Sequence, residues 1–519
     1  MKKFFNLVGF DAEKKQTTVR TEITAGIVTF LAMAYILTVN PNQIFYDGSA
    51  DARWSSLFIA TALGAVIGTL LMAMIAKMPL AQASGMGLNS LVGGIIGGGL
   101  GYYAYGFEFT VGQAFMMVLI SGIIFLILSV VTIGGKSFRE LVFDGMPIAV
   151  RGAISVGIGL FIAYIGFQNA GIIVTNNFTQ IGFVDFTNWG NQIVNNGTVV
   201  DDIIPGLGVI VDPVAFPAAK SAIVAFSGLF VIAILDKFNV KGSVIIGILA
   251  ATVVGIPLGV TDLSVLAGNE SVSWKFWENF ANFFGGKENS VFFSFTSVFK
   301  DGFPDGSLFT VIMLIITMCM IDMFDTMGTI VGCCGSNRVL SDENNKPHNY
   351  DKIMMSDSIA TCAGAMLGTS TVTTFVESGS GVSAGGRTGL TAFTTACLFF
   401  LSMFIMPVFA AIPSAAAASA LIYVGVLMMK NNVKSIDFSD SVNATSAFLT
   451  IVVMVLAYSI TKGIGIGLVV YTAMTTVVYL VNLVKYLLKK GEKPTWNISI
   501  VTIVVTALFL IYFFVPTTL

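Results

Sequence analysis

Polar residues interrupt a mostly apolar chain at intervals set by the thickness of a bilayer. Apolar runs fall near 23–44, 55–77, 82–97, 109–134, 147–170, 214–235 and 240–257, and after a polar stretch to about 305 near 306–334, 357–369, 371–386, 388–411, 413–430, 441–461 and 463–487. Most approach the roughly 20 residues a helix needs to cross the hydrocarbon core. The pattern predicts an all-α polytopic membrane protein with 14 transmembrane segments in two sets of seven. A further apolar run at 497–516 admits a fifteenth span or a re-entrant hairpin. The expected organisation is 1–22 as a cytoplasmic N-terminus, 23–257 and 306–487 as seven-span repeats, 258–305 as an extracellular insertion, and 488–519 as a C-terminal tail.

One break stands out. Residues 369–391 are rich in hydroxyls and glycines and carry a lone acid, Glu377. Non-helical backbone at membrane depth persists only where protein or a watery cavity satisfies its N–H and C=O groups. The β-branched run Thr371–Thr374 favours a short extended piece, and the small residues from Ser378 onward permit a half-helix beginning near Glu377. Pro79 to Ser90 makes a similar break in the third run. Met146-Pro147 leading to Gly157-Ile-Gly-Leu likewise matches Ile412-Pro413 leading to Tyr423-Val-Gly-Val, and Val240-Lys241-Gly242 matches Thr461-Lys462-Gly463. An odd number of spans per set makes any such repeat inverted, and paired interrupted spans point to a transporter's midplane site.

Composition strengthens the membrane reading: of 519 residues 55% are hydrophobic and only 11% charged, against about 25% charged in soluble domains. The net charge of -2 and the absence of a basic stripe argue against nucleic-acid partners. Cys319, Cys333, Cys334, Cys362 and Cys397 have neither zinc nor disulfide spacing and read as core residues. The N-terminus lacks a signal peptide's apolar stretch and cleavage site, so the first span is expected to stay in the mature chain. Lysines and arginines in short loops place the N-terminus in the cytoplasm: Lys2, Lys3, Lys14, Lys15, Arg20, Lys77, Lys136, Arg139, Lys237, Lys241, Arg338, Lys346, Lys352, Lys430, Lys434, Lys485, Lys489 and Lys490 fall on one side. The insertions 171–213 and 258–305 then lie outside, where Trp274 and Trp277 suggest an interfacial segment.

In the eighth run Asp322, Asp325, Thr326 and Thr329 recur at helical spacing, giving one face two acids and two hydroxyls. Exposing such a face to lipid would cost about 2.5–3.5 kcal/mol per acid, so it must look inward. Each acid could instead only tie down a neighbouring broken helix. Glu377 is a second site candidate or a helix-start cap, and burial and the helix dipole act on its proton in opposite senses. Phe375, two residues earlier on extended backbone, would share its side and could cover a flat ring. Gly85, Met86, Gly87 and Asn89 are the third-span counterparts; they serve either a ligand or close helix packing. Arg387 reads as an anchor or a carboxylate partner. The lone histidine, His348, lies in a polar loop, so proton coupling would run through carboxylates. No phosphate loop, nucleophile, metal cluster or cofactor motif appears, so neither an ATP-driven pump nor an enzyme is expected, and no cofactor.

The segments Thr18–Glu22, Phe30–Tyr35 with Val39-Asn-Pro41, Ser84–Asn89, Phe324–Thr329 and Glu377–Gly389 resemble the AzgA-like purine permeases of the nucleobase-cation symporter superfamily, over about 20–490. The resemblance implies two inverted seven-helix repeats divided into a core domain (spans 1–4 and 8–11) and a gate domain, with short crossed strands and half-helices in spans 3 and 10. It implies that Asp322 and Glu377 hold a purine and couple its entry to a cation, H+ first. Phe375, Val376, Met86, Gly85 and Asn89 would then be substrate neighbours, and Asp325, Thr326, Thr329, Thr374 and Ser378 supporting groups. Ser84 stands where many relatives carry proline, and Thr461-Lys462 departs in the gate. The expected protein is a purine:proton symporter of the cytoplasmic membrane, taking guanine, hypoxanthine, xanthine or adenine, with a homodimer as a further partner. The alternative is an anion or small-solute transporter or channel of the same architecture.

Overall fold

The computed structural model describes residues 2–11, 15–45, 51–96, 107–133, 136–137, 145–176, 180–190, 192–194, 199–203, 210–211, 214–240, 242–267, 272–285, 290–334, 339–341, 347–457, 459–488, 492–496 and 498–514. Of the lysines and arginines used to orient the chain, Lys14, Arg139, Lys241, Arg338, Lys346, Lys489 and Lys490 lie outside them.

The principal elements are α1 (Val19–Met33), α2 (Ile36–Ile44), α3 (Trp54–Leu71), β1 (Gln82–Ser84), α4 (Met86–Ile96), α5 (Val111–Val130), α6 (Ile148–Asn169), α7 (Ala218–Lys237) and α8 (Ser243–Leu258). They continue with α9 (Leu308–Cys334), α10 (Tyr350–Leu367), β2 (Val372–Thr374), α11 (Ser378–Ser383), α12 (Gly389–Ser402), α13 (Ser414–Asn432), α14 (Ser441–Leu456), α15 (Ile460–Leu487) and α16 (Ile500–Phe514). Eight helical stretches among the described residues are long and apolar enough to cross a membrane, and shorter apolar helices accompany them.

Local chemistry sets several helix starts. Thr18 caps α1 by accepting from the Thr21 amide, and Thr110 and Gln113 form a reciprocal capping box on α5. Pro147 and Pro413 stand immediately before α6 and α13, where a missing N–H costs nothing. Those helices pack together, and the paired glycine motifs meet at their contact. A Cβ on Gly425 would lie 2.5 Å from the Gly159 carbonyl oxygen, and one on Gly159 would lie 2.7 Å from the Met428 Cβ. Glycine is what lets the two backbones approach.

Two groups of helices emerge from the packing. In one, α3 touches α2, α10 and α12; α5 touches α9 and α10; α1 touches α11 and α12. In the other, α6 packs on α13 and α14, α7 on α8 and α13, and α14 on α15, with α16 against α15. Buried side chains, including Trp54, Tyr35, Phe58, Phe115 and Phe399, fill the first group.

Some element boundaries depart from the apolar pattern. The run at 357–369 is the second half of a helix that begins at Tyr350, seven residues earlier. The run starting at 214 opens as the strand Val214–Phe216, and Pro217 then leads α7. The described parts of 171–216 include short antiparallel strand pairs, such as Ile173–Asn176 with Gln180–Phe183, that hydropathy alone does not mark. The expected interfacial segment is the helix Phe276–Phe284, with Trp277 and Phe284 exposed.

Candidate functional site

The two broken spans meet. β1 and β2 pair antiparallel, Gln82 opposite Thr374 and Ser84 opposite Val372. Flanking bonds extend the ladder: the Gly85 amide donates to the Thr371 carbonyl at 2.9 Å and the Phe375 amide to the Ala81 carbonyl at 3.0 Å. The outer edges are closed by side chains. The Thr69 hydroxyl both accepts from the Gln82 amide and donates to the Gln82 carbonyl, each at 3.0 Å. Ser378 Oγ takes the Ala81 amide at 3.0 Å, and the Thr361 hydroxyl reaches the Val372 carbonyl at 3.2 Å. Side chains thus take over backbone groups that water would otherwise satisfy, which lets strand backbone lie inside the bundle. Gly85 is required by this crossing, since a Cβ there would come within 2.7 Å of the Thr373 methyl.

Beneath the strands lies a carboxylate that inspection of the sequence overlooked. Asp357, buried in α10, accepts from Gln82 Nε2 at 2.8 Å and the Thr374 hydroxyl at 3.1 Å on one oxygen, and from the Thr326 hydroxyl at 2.6 Å on the other. It thus ties β1, β2 and α9 to α10. Asp322 Oδ2 accepts from the Thr361 hydroxyl at 2.9 Å, placing this acid behind β2. Asn89 accepts from the Ser370 hydroxyl and its amide reaches the Ser84 carbonyl at 3.5 Å, pinning the start of α4 to the segment before β2. Ser84 Oγ is 2.7 Å from the Thr369 hydroxyl, which in turn receives the Asn40 amide at 2.8 Å. A proline at 84 would lack that hydroxyl.

Between the two helix groups is a cavity walled by Met86, Asp325, Thr329, Thr374, Phe375, Val376 and Glu377 from one group, and Ile162 and Met428 from the other. Of the residues singled out from sequence, Asp325, Thr329, Thr374, Phe375, Val376, Glu377 and Met86 reach this wall. Asp322, Gly85, Asn89, Thr326 and Ser378 stand behind it. Both half-helices begin here, α4 at Met86 and α11 at Ser378, so two positive dipole ends converge on the space. Its free volume, about 20 Å³, holds roughly one water.

Glu377 occupies the position before α11, yet its carboxylate makes no capping bond. Instead Oε1 accepts a 2.5 Å hydrogen bond from the Tyr35 hydroxyl, which also lies 3.4 Å from the Met86 sulfur. Oε2 is buried with no hydrogen-bond partner among the described residues. A carboxylate held by one oxygen and open at the other is poised for a donor entering the cavity. Tyr35, at the join of α1 and α2, was not singled out from the sequence because its signal is a lone aromatic in an apolar run. Tyr35→Phe is expected to raise the KM for transported substrate about tenfold, the worth of one hydrogen bond to a charged group. Initial-rate uptake by the purified variant measures this, and an unchanged KM removes the hydroxyl from the site.

Arg387 serves the far end of α11. Its guanidinium donates to the Val382 and Gly386 carbonyls at 2.6 and 2.7 Å, and its backbone amide donates to Glu22 at 2.9 Å. Buried Glu22 also accepts from the Thr388 amide at 3.2 Å and the Thr391 hydroxyl at 2.6 Å, fixing α1 to the turn after the half-helix.

A family model described as "Permease family" matches residues 20–191 and 209–466. The adenine permease AdeP of Escherichia coli is 31% identical over 467 residues, 90% of this chain and 89% of that protein. The guanine/hypoxanthine permease PbuO of Bacillus subtilis is 32% identical over 465 residues, 89% and 93% of the two chains. Among solved structures, the transmembrane domain of the cyanobacterial bicarbonate transporter BicA superposes with a TM-score of 0.54 at 15% identity, covering 88% of this chain and 98% of that one. That likeness concerns the fold alone.

Proposed function

Because the chain belongs to this permease family, we propose that it imports purine nucleobases by secondary active transport. It is a multi-pass membrane permease and not an enzyme. The observation that carries the substrate reading is the open Oε2 of Glu377 beside Phe375, in a cavity shared by the two helix groups. A purine edge offers ring N–H and exocyclic donors to a carboxylate, and Phe375 and Met86 supply flat and adaptable apolar contact.

In this reading Asp325 is the second acid facing the base. Asp322, the acid the family resemblance favours, acts from behind, accepting from Thr361 of α10. Fourteen spans in inverted repeats form a core that carries the strands and a gate that contributes Ile162 and Met428. Transport alternates access by moving core against gate. A base needs several times the present free volume, so loading requires the groups to part. The coupling ion is a proton carried by the cavity carboxylates, the N-terminus is cytoplasmic, and two copies assemble as a homodimer.

The test is uptake of radiolabelled hypoxanthine into proteoliposomes, competed with purines and pyrimidines, with and without an imposed pH gradient. Purine competition and gradient-driven accumulation are expected. Uptake that no purine competes overturns the substrate, whereas uptake indifferent to pH overturns only the proton.

A further inference from the structure

A second cleft of about 420 Å³ lies far along the chain from the transport site, where the end of α15 meets the connection to α16. Its walls include Tyr479, Asn482 and Lys485 from α15 and Glu492, Lys493 and Trp496 from the connection. The indole of Trp496 stands edge-on to Tyr479, with centroids 5.0 Å apart and planes at 89°. Next to this pair Val477, Val478, Leu480, Val481 and Val484 on α15 are exposed, as a lipid-facing helix surface requires. An aromatic pair at the edge of such a surface, within two turns of lysines, is the residue mixture of a bilayer's headgroup level.

Charge points the same way. From 485 to 493 the sequence carries four lysines and one glutamate, and among the described residues no ion pair joins Glu492 to Lys485 or Lys493. Two ammonium groups, an amide donor at Asn482 and two aromatic walls suit a phosphate ester whose acyl chains run up the exposed face of α15. We propose that this cleft binds the phosphate of an anionic phospholipid headgroup. A soluble phosphate shares the headgroup chemistry but not the apolar surface above it.

The arrangement has a mechanical side. α16 is fastened to the bundle by the Thr472–Thr506 hydroxyl contact at 3.0 Å, and by Ser499 and Thr502, which both donate to the Gly145 carbonyl at 2.7 Å. A headgroup in the cleft would close the remaining corner between α15 and the approach to α16.

The test uses the purified, delipidated full chain titrated with phosphatidylglycerol, phosphatidylcholine or inorganic phosphate, with bound molecules counted by native mass spectrometry. Phosphatidylglycerol is expected to bind roughly thirtyfold more tightly than phosphatidylcholine, about the share of two lysines at a membrane surface. The preference should fall to within a few-fold in Lys485→Gln/Lys493→Gln and persist in Lys434→Gln, with all proteins eluting as the wild type does. Equal retention of the two lipids, or a preference untouched by the double substitution, overturns the proposal. Competition by millimolar inorganic phosphate as effective as by the lipid itself overturns the lipid as the source.

Discussion

Glu377→Gln is expected to reduce purine uptake at least a hundredfold while the protein still inserts and folds. Glutamine keeps the length and hydrogen-bonding reach of the side chain, so the Tyr35 hydroxyl retains an acceptor in place of Oε1. What changes is the other position: an oxygen with no partner becomes an N–H2 donor facing the donors of the base. Loss of two charge-assisted hydrogen bonds, each worth about 1.5–3 kcal/mol, puts the penalty beyond two orders of magnitude. Initial rates of labelled hypoxanthine uptake in proteoliposomes measure it, with elution volume and melting temperature as folding controls. Glu377→Asp, which keeps the charge on a shorter stem, should recover part of the rate. Wild-type uptake by the glutamine variant would remove this carboxylate from substrate binding.

Asp357→Ala should act through the scaffold and not the cavity. Its carboxylate satisfies Gln82, Thr326 and Thr374 at once, all deep in the bundle. Removal takes the carboxylate acceptor from three buried donors, and hydrogen bonds inside membranes are worth about 0.6 to 1.7 kcal/mol each. Against a total stability of roughly 5–15 kcal/mol the sum is a large fraction. A fall in melting temperature of about 2–5 °C is expected, together with lower yield of monodisperse protein. Asp357→Asn, which keeps two acceptor directions on one oxygen, should be milder. A variant that melts with the wild type would show that the strands are braced elsewhere.

The contrast between these two acids explains what the sequence disclosed. Glu377 was legible because it sits in a polar, glycine-rich break, and breaks at membrane depth are rare for physical reasons. Asp357 was hidden because the apolar run begins at this residue and leaves it at the edge of the pattern; the helix begins at Tyr350 and buries it two turns in. Hydropathy locates lipid-length segments but reads polar residues near a boundary as outside. Likewise Asp322 and Asp325 share a helical face, and periodicity could not tell which of them reaches the cavity. That distinction depends on where β2 crosses α9, a contact between residues nearly fifty positions apart. The paired breaks themselves were visible as polar, glycine-containing interruptions, and at 371–383 β-branched residues followed by small ones specify strand then half-helix. Their register against each other was not.

The β1–β2 pairing also bears on how the protein is made. β1 ends at Ser84 and β2 begins at Val372, so about 290 residues separate the two halves of one hydrogen-bonded ladder. At about 5–20 residues per second a ribosome needs roughly 15–60 s to cover that gap. Throughout that interval the strand backbone of β1 cannot rest in lipid, where each unsatisfied group costs several kcal/mol. The segment carrying β1 must therefore wait beside the insertion machinery or at the membrane surface until the segment carrying β2 emerges. A nascent chain interrupted before Val372 carries an unfinished strand edge, and biosynthetic quality control can recognise it as incomplete.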